Sequence, residues 1–194
     1  MSYFAKSLKP IFEKTMSPLI SFFEQKNIDP NTLSLLGLLS VGLGSFFLYK
    51  DYNHIATLFI AIGGLLDALD GALARLSGKA SSFGAFLDST LDRLSDAMPI
   101  VALVLLFAKN QDLMGVFVGL FAMVFSFMVS YTKARSHSLG VDIPIGVFER
   151  TERFSILILS IFFGFYKLGL FVVGLGAFYT TIERIIYAKN HLTV

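Results

Sequence analysis

A chain of 194 residues of which 55% are hydrophobic and only 15% charged is too apolar to cover a soluble globule of its size. No cysteine occurs, which excludes a disulfide framework and a thiolate site. The modest net charge of +2 hides an uneven placement, described below.

Residues 2–26 interleave Phe4, Leu8, Ile11, Phe12, Leu19 and Phe22 with Lys6, Lys9 and Lys14 at helical spacing. Such a segment predicts an amphipathic helix lying in the membrane interface. Lysines break its apolar run and no small-residue cleavage site follows, so it is not read as a signal peptide. Pro30 and Asn31 interrupt the chain, and Asn31 or Thr32 is the expected cap of the next helix. Six apolar runs then predict spans at 32–49, 54–75, 84–108, 112–135, 149–166 and 168–189. Glycines scattered through these runs suit close helix contacts in a bilayer. The expected architecture is an all-α integral membrane protein with one domain over 1–194, made of an interfacial helix (1–27) and a six-helix bundle (28–194).

On this topology, 13 of the 16 Lys and Arg fall on one side, and only Lys50, Lys109 and Lys167 on the other. The positive-inside rule therefore places both termini in the cytoplasm of a multi-pass cell-membrane protein. It also places residues 67–92 at the cytoplasmic membrane surface.

Four aspartates stand in that stretch. Asp67 and Asp70 share a face near the end of the second span, and Asp88 and Asp92 share one near the start of the third. The link between them holds Ser77, Gly78, Ser81 and Ser82, which predicts a tight return. The two carboxylate pairs can thus face each other across a helix hairpin. Uncompensated, they would repel and carry a large desolvation cost; two divalent cations would balance them. Oxygen donors without nearby His or Cys favour a hard ion, Mg²⁺ or Mn²⁺. Such sites commonly serve phosphate chemistry. Gly71 and Gly84 offer minimal bulk, and Arg75 can meet a phosphate oxygen. A solvated flank explains one carboxylate near a span end well, but four at this spacing poorly.

The stretch reads Asp67-x2-Asp70-Gly71-x2-Ala74-Arg75-x8-Gly84-x3-Asp88-x3-Asp92. It resembles the signature of the CDP-alcohol phosphotransferase family at every fixed position. The resemblance extends to six helices after an interfacial helix and so covers essentially the whole chain. It implies transfer of a phosphoalcohol from a CDP-alcohol to a hydroxyl acceptor with release of CMP. It also implies that Asp67, Asp70 and Asp88 bind two metals, while Asp92 touches metal and acts as general base. Gly71, Arg75 and Ser81 would contact the CDP-linked donor, as would the pre-helix segment containing Pro30, Asn31 and Thr32. A homodimer is implied by the same resemblance. Asp96 continues the Asp88/Asp92 face outside the motif.

A second concentration of charge spans residues 133–153. Lys133, Arg135, Arg150 and Arg153 flank a short link, and Arg150 and Arg153 can aim at one anion with Glu149 and Glu152 to orient them. A topology signal alone explains part of this cluster. The pattern resembles the family branch that makes phosphatidylinositol phosphate, or its archaeal ether-lipid counterpart, from inositol 1-phosphate. That resemblance makes these four residues candidates for the acceptor phosphate, with glycerol 3-phosphate as the alternative acceptor. The expected partners are therefore a CDP-linked lipid, a soluble phosphorylated alcohol and membrane lipids. A cation transporter would also carry membrane carboxylates, but the first, fourth and fifth spans have no acid in their interiors. His54, His137 and His191 lack metal-ligand spacing, no Gly-rich nucleotide loop occurs, and no basic stripe with interleaved aromatics suggests nucleic acid.

Overall fold

In a computed structural model that describes residues 3–192, seven helices follow one another: α1 (Tyr3–Gln25), α2 (Pro30–Tyr49), α3 (Asn53–Leu76), α4 (Ser82–Lys109), α5 (Leu113–Ser138), α6 (Arg150–Phe162) and α7 (Tyr166–His191). No strand occurs among the described residues. Side chains are described for residue 12 and from 14 onward, so the interfacial positions expected at Phe4, Lys6, Leu8, Lys9 and Ile11 lie outside them. Helices α2, α3, α5 and α7 are long and apolar enough to cross a membrane. The other two expected spans differ for physical reasons. Helix α4 has the length, but Asp88, Asp92, Arg93 and Asp96 fill its first half. Helix α6 has only 13 residues and ends at Phe162 rather than 166. Its end is set by Gly164, whose φ of +74° starts a turn closed by the Phe165 amide donating to the Ser160 carbonyl.

The chain forms two compact units, one of residues 7–102 and one built on residues 103 onward. In the first unit, α2 and α3 pack backbone to backbone. A Cβ on Gly44 would lie 2.9 Å from the Ala56 carbonyl oxygen, and one on Gly63 would lie 2.7 Å from that of Gly37. Only glycine permits that approach. The Ser40 hydroxyl donates to the Phe59 carbonyl across the same contact (2.7 Å). Helix α1 docks by Ile20 onto Leu33, Leu69, Ala72 and Leu73, with Phe12, Met16 and Phe23 alongside. Leu19 and Phe22 remain exposed on the opposite face. The apolar side of α1 is thus divided between protein and surroundings, which one-dimensional periodicity does not reveal. Large apolar side chains such as Leu39 (64% exposed) and Phe46 line the outside of α2, as a lipid-facing helix requires.

In the second unit, α7 is the centre. Leu170, Val173 and Ala177 are buried with Ala122 and Val129 of α5 and Leu157 and Ile161 of α6. Phe125 packs edge-on to Phe178 with ring centroids 4.9 Å apart, and Phe121 completes the cluster.

Candidate active site

The cap of α2 begins one side of a pocket. Asp29, not Asn31 or Thr32, is the cap: its carboxylate accepts from the Asn31 amide at 2.8 Å, and Pro30 takes the first helical position. Proline suits that position because its missing N–H would have had no helical partner. At α4 the same role falls to Ser81, whose hydroxyl oxygen accepts from the Gly84 amide at 3.0 Å. Gly84 also faces the α2 N-terminus, where a Cβ would lie in ordinary contact, 3.5 Å, with Asn31 Oδ1. Both helix N-termini therefore border one cavity of about 370 Å³, which Asp70, Gly71, Arg75, Lys79 and Asp88 also line.

Three carboxylates converge here. One oxygen each from Asp67, Asp70 and Asp88 lies within 4.8 Å of the others. Asp70 is buried (4% exposed), and the Ser34 hydroxyl donates to its Oδ2. Asp92, one turn beyond Asp88, does not join this group; its Oδ2 accepts from Arg93 Nη2 at 3.2 Å. Gly71 leaves room for the Arg75 guanidinium, since a Cβ there would lie 3.3 Å from Nη1. Of the expected donor residues, Pro30, Asn31, Gly71, Arg75 and Ser81 line the cavity together with Asp70 and Asp88. Thr32 is exposed and outside the lining.

The arrangement opposes two kinds of charge. Clustered carboxylates form one part of the wall, and three converging oxygen donors fit a hard divalent cation. Another part carries Arg75, Lys79 and the two N-termini, whose dipoles attract anions, with the Asp29 cap beside them. A cation-bridged diphosphate satisfies both.

Comparison with known proteins names the family. The CDP-alcohol phosphatidyltransferase profile matches residues 27–184. The chain belongs to that family. It is therefore a membrane transferase that uses a CDP-linked alcohol and a divalent cation, for which the oxygen donors suit Mg²⁺ or Mn²⁺. An archaetidylinositol phosphate synthase from Pyrococcus horikoshii is 36% identical over 186 residues, covering 95% of this chain and 96% of that protein. The fold matches a crystal structure of Mycobacterium tuberculosis phosphatidylinositol phosphate synthase with CDP-DAG bound (TM-score 0.82, 24% identity, 90% of this chain and 94% of that one). It also matches a structure of the Mycobacterium tuberculosis enzyme in complex with manganese and citrate (TM-score 0.80, 26% identity, 89% and 88% covered).

The transferase's basic cluster, in the second unit, is organised around a residue the sequence reading passed over. Arg184 of α7 is 1% exposed. Its Nη1 donates to the Val129 carbonyl (2.5 Å), its Nε to that of Ile145 (3.2 Å), and its Nη2 to Glu149 Oε1 (3.0 Å). Gly146, with φ +151°, makes this possible, because a Cβ there would lie 2.6 Å from Nη2. Lys133 Nζ meets the same Glu149 oxygen at 3.3 Å. Arg153 is buried and donates to the Phe148 carbonyl at 3.1 Å. The Arg150 guanidinium lies 6.0 Å from the Phe154 ring centroid, while exposed Arg135 has its Nη1 3.4 Å from Ser138 Oγ. Sequence reading missed Ser34, Lys79 and Arg184. The available signal for Ser34 and Arg184 was a polar residue inside an apolar helix, which has to be satisfied by something.

Proposed function

We propose that the enzyme moves a phosphatidyl or archaetidyl group from a CDP-lipid to inositol 1-phosphate and releases CMP. The observation that carries the donor half is the pocket in which clustered carboxylates oppose Arg75 and two helix N-termini. The acceptor half rests on the likeness to inositol phosphate synthases, supported by the basic residues of 133–153.

In this reading the chain is one domain, 1–194, with α1 in the interface and α2–α7 spanning the cell membrane. Both termini and the active site face the cytoplasm, and the enzyme works as a homodimer among membrane lipids. Lipid chains then stay in the bilayer while the headgroup reaches the pocket. Asp67, Asp70 and Asp88, joined by Asp92, would hold two divalent cations, which when bound neutralise the diphosphate and stabilise the departing phosphate. Pro30, Asn31, Thr32, Gly71, Arg75 and Ser81 hold the donor. Arg75 and the α2 and α4 N-termini orient its diphosphate. Asp92 is the base: the acceptor hydroxyl oxygen bonds to the lipid-side phosphorus, the phosphorus–oxygen bond to CMP breaks, and the hydroxyl proton passes to Asp92. Lys133, Arg135, Arg150 and Arg153 bind the acceptor phosphate, giving preference for a phosphorylated alcohol over a neutral one.

The test is purified enzyme with a CDP-lipid and Mg²⁺ or Mn²⁺, offered inositol 1-phosphate, glycerol 3-phosphate, serine and free inositol separately. Inositol 1-phosphate is expected to support the fastest CMP release. Faster turnover with glycerol 3-phosphate would reassign the acceptor, and turnover with serine or free inositol alone would refute the basic-cluster argument.

A further inference from the structure

Lys79 stands in the eight-residue gap of the aspartate motif, where no residue type is specified, yet its side chain lines the cavity. Local geometry puts it there. Helix α3 ends at Leu76, and Gly78 with φ +66° turns the chain so that Lys79 follows immediately. Its Nζ donates to Asn27 Oδ1 at 2.6 Å, 52 residues away in sequence. Asn27 itself has φ +53°, and its amide donates to the Glu24 carbonyl at the end of α1. The α1–α2 link thus holds the ammonium of the α3–α4 link at a cavity bordered by Asp29, Pro30, Ala80 and Ser81.

An ammonium has three donors, and the Asn27 oxygen takes one. A lysine is normally costly to order because its stem is flexible; a fixed tether reduces that cost before a ligand arrives. Arg75 and two helix N-termini line the same cavity as Lys79, and the Asp29 carboxylate there is engaged in capping α2. A diphosphate offers several acceptor oxygens to the remaining ammonium donors.

We propose that Lys79, held in place by Asn27, is a specificity-determining residue for the donor, contacting the diphosphate of the nucleoside-diphosphate-linked lipid away from the carboxylates. This rests on the CDP-lipid reading above. Lys79 adds charge and reach to Arg75, and Asn27 sets where that charge sits. It also ties α1, the interfacial helix of this reading, to the donor pocket.

The experiment measures steady-state CMP release by the full-length enzyme, varying CDP-lipid at saturating acceptor and then the reverse. Lys79→Gln is expected to raise donor KM by about three- to tenfold, more than it lowers kcat, with acceptor KM moving far less. The effect shrinks as salt is raised, and Lys79→Arg recovers most of the donor KM. Asn27→Gly keeps the positive φ and removes the tether. It should raise donor KM less than Lys79→Gln does, and add nothing in the Lys79→Gln background. An unchanged donor KM in Lys79→Gln overturns the proposal, as does an equal rise in both KM values or additivity of the two substitutions. Asp70→Asn separates this from the underlying reading. If wild type turns over CDP-lipid and Asp70→Asn does not, the reading stands whatever Lys79 does. If wild type turns over no CDP-lipid, both fall.

Discussion

In the unit of residues 7–102, three carboxylates come within 4.8 Å of one another and two helix N-termini border the same cavity. In the unit from residue 103 onward, the charges bind each other: Glu149 takes both Lys133 and Arg184, and Arg184 also takes two backbone carbonyls. The first arrangement gathers like charges at a cavity, where a divalent cation would balance them. The second spends its charges on holding the 145–149 segment to α5 and α7. Substitutions should therefore cost activity at the carboxylate cluster and stability at the Arg184–Glu149 pair.

The largest effect tests the first half of that contrast. Asp70→Asn and Asp88→Asn should each lower CMP release by on the order of 10²–10³-fold or more while leaving the melting temperature in detergent close to wild type. Chelation of divalent cations should reproduce the loss, and added Mn²⁺ should restore only the wild type. Activity within tenfold of wild type in either variant would mean the cluster is not the metal centre.

Next comes the reverse case. Arg184→Met should lower stability by about 3–5 kcal/mol, because it leaves a largely buried Glu149 carboxylate and two carbonyls short of a donor. Arg184→Lys should recover only part of this, since one ammonium cannot span Val129, Ile145 and Glu149 in the guanidinium's planar geometry. Thermal unfolding in detergent reads both. An unchanged melting point with lost activity would move Arg184 from the frame to the chemistry and collapse the contrast.

The same difference explains what sequence could reveal. Asp67, Asp70 and Asp88 were legible because helical spacing fixes which carboxylates share a face, and a short Ser/Gly link fixes that the two faces meet. Four of the expected spans, those of α2, α3, α5 and α7, were legible for a similar reason, as local composition sets them. Arg184 was not, because its partners lie 35, 39 and 55 residues away and its own neighbourhood looks like a topology signal. The cap of α2 was misplaced by two or three residues because Asn31 and Thr32 are also good caps; Pro30 at the first helical position decides for Asp29. The inward face of α1 also needed tertiary information: Phe12, expected to lie in the interface, packs with Met16, Ile20 and Phe23 against α2 and α3.

A smaller effect sharpens the boundary between frame and site. Arg153 is buried against the Phe148 carbonyl yet belongs to the proposed acceptor cluster. Arg153→Ala should raise the KM for inositol 1-phosphate by about tenfold and the donor KM much less. A loss confined to stability would assign Arg153 wholly to the frame.

The smallest effect lies away from both sites. Asp112 caps α5 by accepting from the Gly115 amide (3.0 Å) and pairs with Lys167 Nζ at 2.8 Å. The Lys167 hydrogen bond and the Gly115 amide hold its carboxyl below the ordinary carboxylate range. A carboxyl depressed on folding contributes stability above its unfolded pKa and loses it as pH falls through the folded one. The contribution should therefore be full at neutral pH and disappear progressively below about pH 4. Asp112→Asn isolates the charge, because asparagine still caps a helix well. The variant should melt slightly below wild type at neutral pH and low salt, and the gap should close as pH falls or salt rises. A gap that persists at low pH would mean that packing at the α5 N-terminus, and not the Lys167 pair, carries the effect.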